Sequence, residues 1–149
     1  MQLRLGVLAL LMALAATGSA QAQLCALVLL AGGALDLSQD GTVLGSEEGI
    51  GHGATITVAS LLGNHTVTVG APARIASPGD YDAGAETVQV AYRGTGLLSS
   101  VVHAYGTGPS QFPVNGIVAA TIVNLHNRIV NPDGFAEGNY TTRTVVTCS

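Results

Sequence analysis

Two stretches in the middle of the chain alternate residue by residue. Thr55, Ile56, Thr57 and Val58 place polar and apolar side chains by turns, as do His65, Thr66, Val67, Thr68 and Val69. This is the two-residue period of a strand with one buried and one wet face. The C-terminal stretch carries the pattern furthest. Tyr140, Thr142, Thr144, Val146 and Cys148 fall on one face, and Thr141, Arg143, Val145 and Thr147 on the other. Threonine and valine both suit a pleated surface, which makes this the strongest strand in the sequence. The same reading predicts strands over Ala26 to Leu30, Ala34 to Leu37, Ala54 to Ser60, His65 to Ala71, Thr87 to Arg93, Ser99 to Tyr105, Ile117 to Val130 and Asn139 to Cys148. Gly32-Gly33, Asp40-Gly41, Gly49 to Gly53, Gly63-Asn64, Pro78-Gly79, Gly94 to Gly96, Gly106 to Pro109 and Pro132-Asp133-Gly134 punctuate them and break any long helix. Seven or eight short strands with turn chemistry between them predict an all-β fold, an antiparallel β-sandwich rather than strands alternating with helices.

The N-terminus follows a different rule. Met1, Gln2, Leu3 and Arg4 precede an apolar run from Leu5 to Ala16, and the small residues Gly18, Ser19, Ala20 and Ala22 come next. A short basic region, a greasy core and small residues in that order are expected of a cleaved secretory signal. The apolar run falls short of the roughly 20 residues that cross a bilayer. Ala20 and Ala22 flank Gln21 in the A-x-A arrangement, so residues 1–22 are expected to be removed and the mature chain to start at Gln23, with a cut after Ala20 as the alternative. Residues 23–149 then form a single domain, large enough to bury a core unaided. The expected location is secreted, periplasmic or cell-surface, with no integral membrane segment after cleavage.

Charge narrows the partners. The chain has five arginines, no lysine and nine carboxylates, a formal net charge of −4 that falls by one when Arg4 leaves with the signal. Binding to nucleic acid is driven by clustered basic side chains. Arg74, Arg93, Arg128 and Arg143 are scattered, so nucleic acid is not an expected partner. The two cysteines, Cys25 and Cys148, stand near the two ends of the mature chain, and an oxidising compartment closes such a pair. A structural disulfide between them is predicted. A redox pair would ordinarily place its cysteines two residues apart near a helix start.

Candidate chemistry is sparse. His52, His65, His103 and His126 lie in four segments without metal-ligand spacing, so no metal site, catalytic residue or cofactor is expected. Asp80 and Asp82 flank Tyr81 and read as a solvated acidic turn. No G-x-S-x-G elbow is present, and Ser38, Ser99 and Ser100 have no histidine patterned beside them. The chain lacks tryptophan, and Tyr92, Tyr105 and Tyr140 sit in strand patterns that predict core packing with the hydroxyls reaching a carbonyl or water. The glycine-rich or acidic loops Gly45 to Gly53 and Ser77 to Ala85 are the two places where a ligand or metal ion would be recognised if the chain is a binding module.

The segment from Asn127 to Thr147 resembles the ending of bacterial fimbrial subunits and spore-coat-U-type secreted domains. Gly138, Tyr140, Thr142, Thr144 and Val146 match their glycine, aromatic and alternating threonine and valine positions. The resemblance implies an immunoglobulin-like sandwich that adheres or polymerises through strand edges with other surface or fimbrial subunits, and a non-enzymatic role. Only Gln23 and Leu24 precede Cys25, where chain-forming subunits carry an apolar extension, and Cys148 closes the last strand. Both departures point to a self-complete domain, a capping subunit or a stand-alone relative.

Overall fold

The computed structural model describes residues 24–96 and 100–149, and only the backbone at residues 117–119. The expected signal (1–22), the expected start at Gln23 and the predicted strand start at Ser99 lie outside the described residues. The described chain is all-β: β1 (Leu24–Ala31), β2 (Asp36–Leu37), β3 (Val43–Gly45), β4 (Ala54–Val69), β5 (Ala73–Ala76), β6 (Thr87–Gly96), β7 (Ser100–Gly106), β8 (Ser110–Val130), β9 (Thr141–Arg143) and β10 (Val146–Cys148). Among the described residues no helix is long and apolar enough to cross a membrane.

The architecture grows from a ribbon of two long antiparallel strands, β4 and β8, in register from Ala54 opposite Leu125 to Val69 opposite Ser110. The near half of this ribbon sits in a sheet of order β1, β4, β8, β6, β7. The far half of β4 pairs instead with β10, where Val146, Thr147 and Cys148 face Val69, Thr68 and Val67. Where β4 has ended, β3 takes its place against β8, and β2 follows β3.

The ribbon folds back on itself. A straight strand would carry Ser110 roughly 50 Å from Leu125, at about 3.3 Å per residue. Yet Tyr92 of β6, in register with Leu125, has its hydroxyl 2.9 Å from Ser110 Oγ and its ring 5.5 Å from that of Phe112. The inward positions change phase at the bend. Ile56, Val58 and Ser60 point inward in the near half of β4, and His65, Val67 and Val69 in the far half. Ser60 and His65 are an odd number of residues apart, so a regular strand would have put them on opposite faces. The slip occurs where Leu62 adopts a left-handed φ of 53° and Gly116, one place from its partner position, a φ of 150°. The predicted turn at Gly63-Asn64 is therefore a bend within one strand rather than a break between two.

Between the two halves lies a valine-rich core. Val58, Val67, Val69, Val90, Val123 and Tyr92 are buried almost completely, and each such side chain contributes roughly 1.5–3 kcal/mol through removal from water. Cys25 stands opposite Ser60 and Cys148 opposite Val67, one on each side of the bend. The predicted disulfide joins them at a Cα separation of 6.0 Å, so it staples the folded ribbon as well as the chain ends.

The last strand differs from the prediction. Asn139 to Cys148 is two short strands: β9 pairs with β5 in a small second sheet, and β10 pairs with β4. The alternation persists across the break, with every even position from Tyr140 to Cys148 half-buried and every odd one exposed. The faces follow the sequence, while the partner changes between Arg143 and Val146.

Candidate functional site

The four histidines occupy four environments. His52 forms an isolated bridge with Ala34, and His103 stacks on Tyr92 at 4.9 Å between ring centres. His126 Nδ1 lies 3.3 Å from Ser46 Oγ and 4.0 Å from Glu47 Oε1. Serine and carboxylate thus meet the same ring nitrogen, whereas an acyl-transfer relay needs the hydroxyl on one nitrogen and the carboxylate on the other. His65 is buried beside the disulfide. One of its ring nitrogens and the two cysteine sulfurs lie within 4.8 Å of one another.

Glu47 and His126 belong to a polar group that fastens β7. The Tyr105 hydroxyl donates to Glu47 Oε2 at 2.8 Å, the Arg128 guanidinium stacks 3.9 Å from the Tyr105 ring centre, and Arg128 Nε donates to Gln89 Oε1. Burial, and then the bond to Glu47, raise the Tyr105 pKa above its ordinary value. Stacked guanidinium and phenol add of order 1 kcal/mol to such a contact.

A second group ties down the loop over Ser77 to Ala85. Arg74 Nε donates to both Glu86 oxygens at 3.0 and 2.9 Å, and the Tyr81 hydroxyl donates to Glu86 Oε2. Asn131, completely buried, donates to the Tyr81 hydroxyl and to the Asp82 carbonyl and accepts from the Asp133 N–H. Burial and the bond to Glu86 push the Tyr81 pKa up to about 12. Asp82 turns Oδ1 back to the Gly84 N–H at 2.9 Å, and Asp80, Asp82 and Asp133 border a cavity of about 230 Å³. In the other loop, Gly45 to Gly53, the Asp36 carboxylate accepts from the N–H of Ile50 at 2.8 Å and of Leu37 at 2.9 Å. The Ile50 N–H first, and that of Leu37 second, hold its pKa below the ordinary range.

An open groove lies elsewhere. It has a volume of about 540 Å³ and is bordered by Leu29 of β1, Ile56 and Leu125 of the ribbon, and Tyr140, Thr144 and Val146 of the C-terminal stretch. It opens beside β1, which among the described residues pairs only with β4. Leu24, Val28, Leu29 and Leu30 of that strand are 53, 52, 65 and 59% exposed. Its sequence, LCALVLLA, holds no charge, proline or glycine. Natural edge strands are ordinarily blunted by lysine, proline or a covering loop, because their unpaired N–H and C=O groups template further pairing. Of the residues singled out in the sequence, the structure joins Cys25 and Cys148 and brings His65 to them. It leaves His52, His103, His126, Asp80 and Asp82 apart from that trio. The edge strand and groove had no local signature, because an apolar run looks the same at an edge as at the centre of a sheet.

No protein-family model, curated protein or solved structure matched the chain.

Proposed function

We propose that this chain is an exported, non-enzymatic structural protein, coat- or fimbria-like, whose first assembly step is a two-fold dimer in which the edge of β1, unpaired among the described residues, pairs with β1 of a second copy. The carrying observation is the exposed, uncharged, apolar edge of Leu24–Ala31 beside the groove. A second copy fits this edge because antiparallel edge pairing about a two-fold axis is self-complementary. An uncharged apolar strand also meets its own copy without like-charge repulsion. Strand addition supplies affinity through main-chain hydrogen bonds and specificity through pockets for alternate side chains, and the groove beside Leu29 offers such a pocket. The disulfide and the fimbria-like ending of the chain agree with a durable extracellular part.

Sedimentation velocity on the mature, oxidised protein tests the reading. The wild type is expected to associate with rising concentration, and Leu29→Lys to remain monomeric. A wild type that stays monomeric at the highest attainable concentration, and is missing from sheared surface material of the native host, overturns it.

A further inference from the structure

Two buried polar atoms flank the disulfide without hydrogen-bond partners among the described residues, Ser60 Oγ and His65 Nε2. His65 is 5% exposed and Ser60 1%. Leaving such a group unpaired costs about 1–3 kcal/mol, so a pair of them at one place asks for an explanation. Both belong to β4, on either side of the bend, and Ser60 stands directly opposite Cys25 in the ladder. The two sulfurs and a ring nitrogen of His65 lie within 4.8 Å of one another.

We propose that Cys25, Cys148 and His65 form a zinc site when the bridge is reduced, so that the same residues staple the ribbon either as a disulfide or through a metal ion. Thiolate and neutral imidazole are the donors zinc prefers. With bonds of about 2.3 Å to sulfur in a tetrahedral site, the two sulfurs need to stand only about 3.8 Å apart, a separation that side-chain rotation reaches once the bridge opens. Zinc with two thiolates and a neutral imidazole carries no net charge, which a site packed against the hydrophobic core requires. The fourth position falls to the Ser60 hydroxyl or to a water. The balance is simple. A dithiol reductant gives two electrons and two protons to the bridge and leaves as its own disulfide. Zinc then displaces the two thiol protons, which pass to solvent. A disulfide oxidant reverses the sequence, taking two electrons from the thiolates and freeing the metal.

The test uses the full mature chain, reduced anaerobically, freed of reductant and titrated with Co²⁺ as a spectroscopic stand-in before displacement by Zn²⁺. The reduced wild type is expected to take up one equivalent with thiolate-to-cobalt charge-transfer absorption, and the oxidised protein none. His65→Ala and His65→Gln, each first checked for native circular dichroism when oxidised, should weaken uptake at least about tenfold, since even losing an outer-shell partner of a ligand costs that much. X-ray absorption on zinc-loaded wild type needs no variant and should show two sulfurs and an imidazole nitrogen. Uptake that is absent, equally tight in both His65 variants, or built from a shell without imidazole overturns the proposal and leaves a structural disulfide only.

Discussion

Two edge strands of the main sheet, β1 and β7, are held in different ways. β7 carries Tyr105, whose hydroxyl is held by Glu47 and whose ring lies under Arg128, and His103, which stacks on the buried Tyr92. Its edge is fastened to the body of the domain by polar and aromatic contacts. β1 is fastened covalently near its start, at Cys25, and beyond that point exposes Val28, Leu29 and Leu30 next to an open groove. Among the described residues both are edges with unpaired backbone groups, both lack carboxylate, lysine and arginine side chains, and β7 exposes Val102, but only β1 exposes a run of apolar side chains beside an open groove. Under the proposal, the contrast separates an edge held by side chains of its own domain from one that a second copy would complete.

Cutting the anchor of β1 has the largest expected effect. Cys148→Ser removes a cross-link spanning 123 residues, which the chain-entropy relation values at about 4–5 kcal/mol. Urea unfolding should show that loss, whereas Cys148→Ser as stable as wild type would mean that the bend holds without its staple. Loosening β7 costs less. Tyr105→Phe deletes one hydrogen bond to a carboxylate and should cost about 1 kcal/mol in the same assay, without changing self-association.

The pH response probes the same fastening. The Tyr105 pKa is raised above the ordinary 10.0, first by burial and then by Glu47, so the folded chain keeps a proton that the unfolded chain releases. The stability linked to it is fully present below pH 10.0 and declines as pH rises above that value. Unfolding free energies between pH 9 and 12, set against Tyr105→Phe, should show a shallower decline in the variant, although Tyr81, with its pKa at about 12, contributes to both. Equal slopes would remove Tyr105 from the account. Leu29→Lys should have the smallest effect on folding, within about 0.5 kcal/mol as for exposed sites generally. Its effect belongs to association, and a large fall in stability would show that Leu29 serves the core instead of an interface.

Much of this was legible in the residues. The alternation over Thr55 to Val58 and His65 to Val69 gave the buried face of β4, and the cysteine count with an expected export signal gave the bridge. Of Tyr92, Tyr105 and Tyr140, only Tyr92 packs in the core as predicted and only Tyr140 reaches a carbonyl, that of Ala136, while the hydroxyls of Tyr92 and Tyr105 meet the side chains of Ser110 and Glu47. Other features depend on partners distant in the chain. Gly63-Asn64 carries local turn chemistry, but the ladder to Gly116 and Asn115 holds both residues in one strand. Arg143 and Val146 look continuous in sequence, and only the positions of β5 and β4 divide them. His65 meets Cys25 and Cys148 because the ribbon folds over, which no spacing of histidines encodes. The apolar run of β1 resembles the near-continuous hydrophobic pattern of a strand buried on both faces, and its place at the edge is a matter of topology.

Hydrogen exchange, followed by mass spectrometry at low and high protein concentration, measures the central claim most directly. Peptides covering Leu24–Ala31 should become protected as concentration rises, while those covering Ser100–Gly106 stay unchanged. Protection of β1 that is independent of concentration, or that develops along β7 instead, would contradict assembly through the β1 edge.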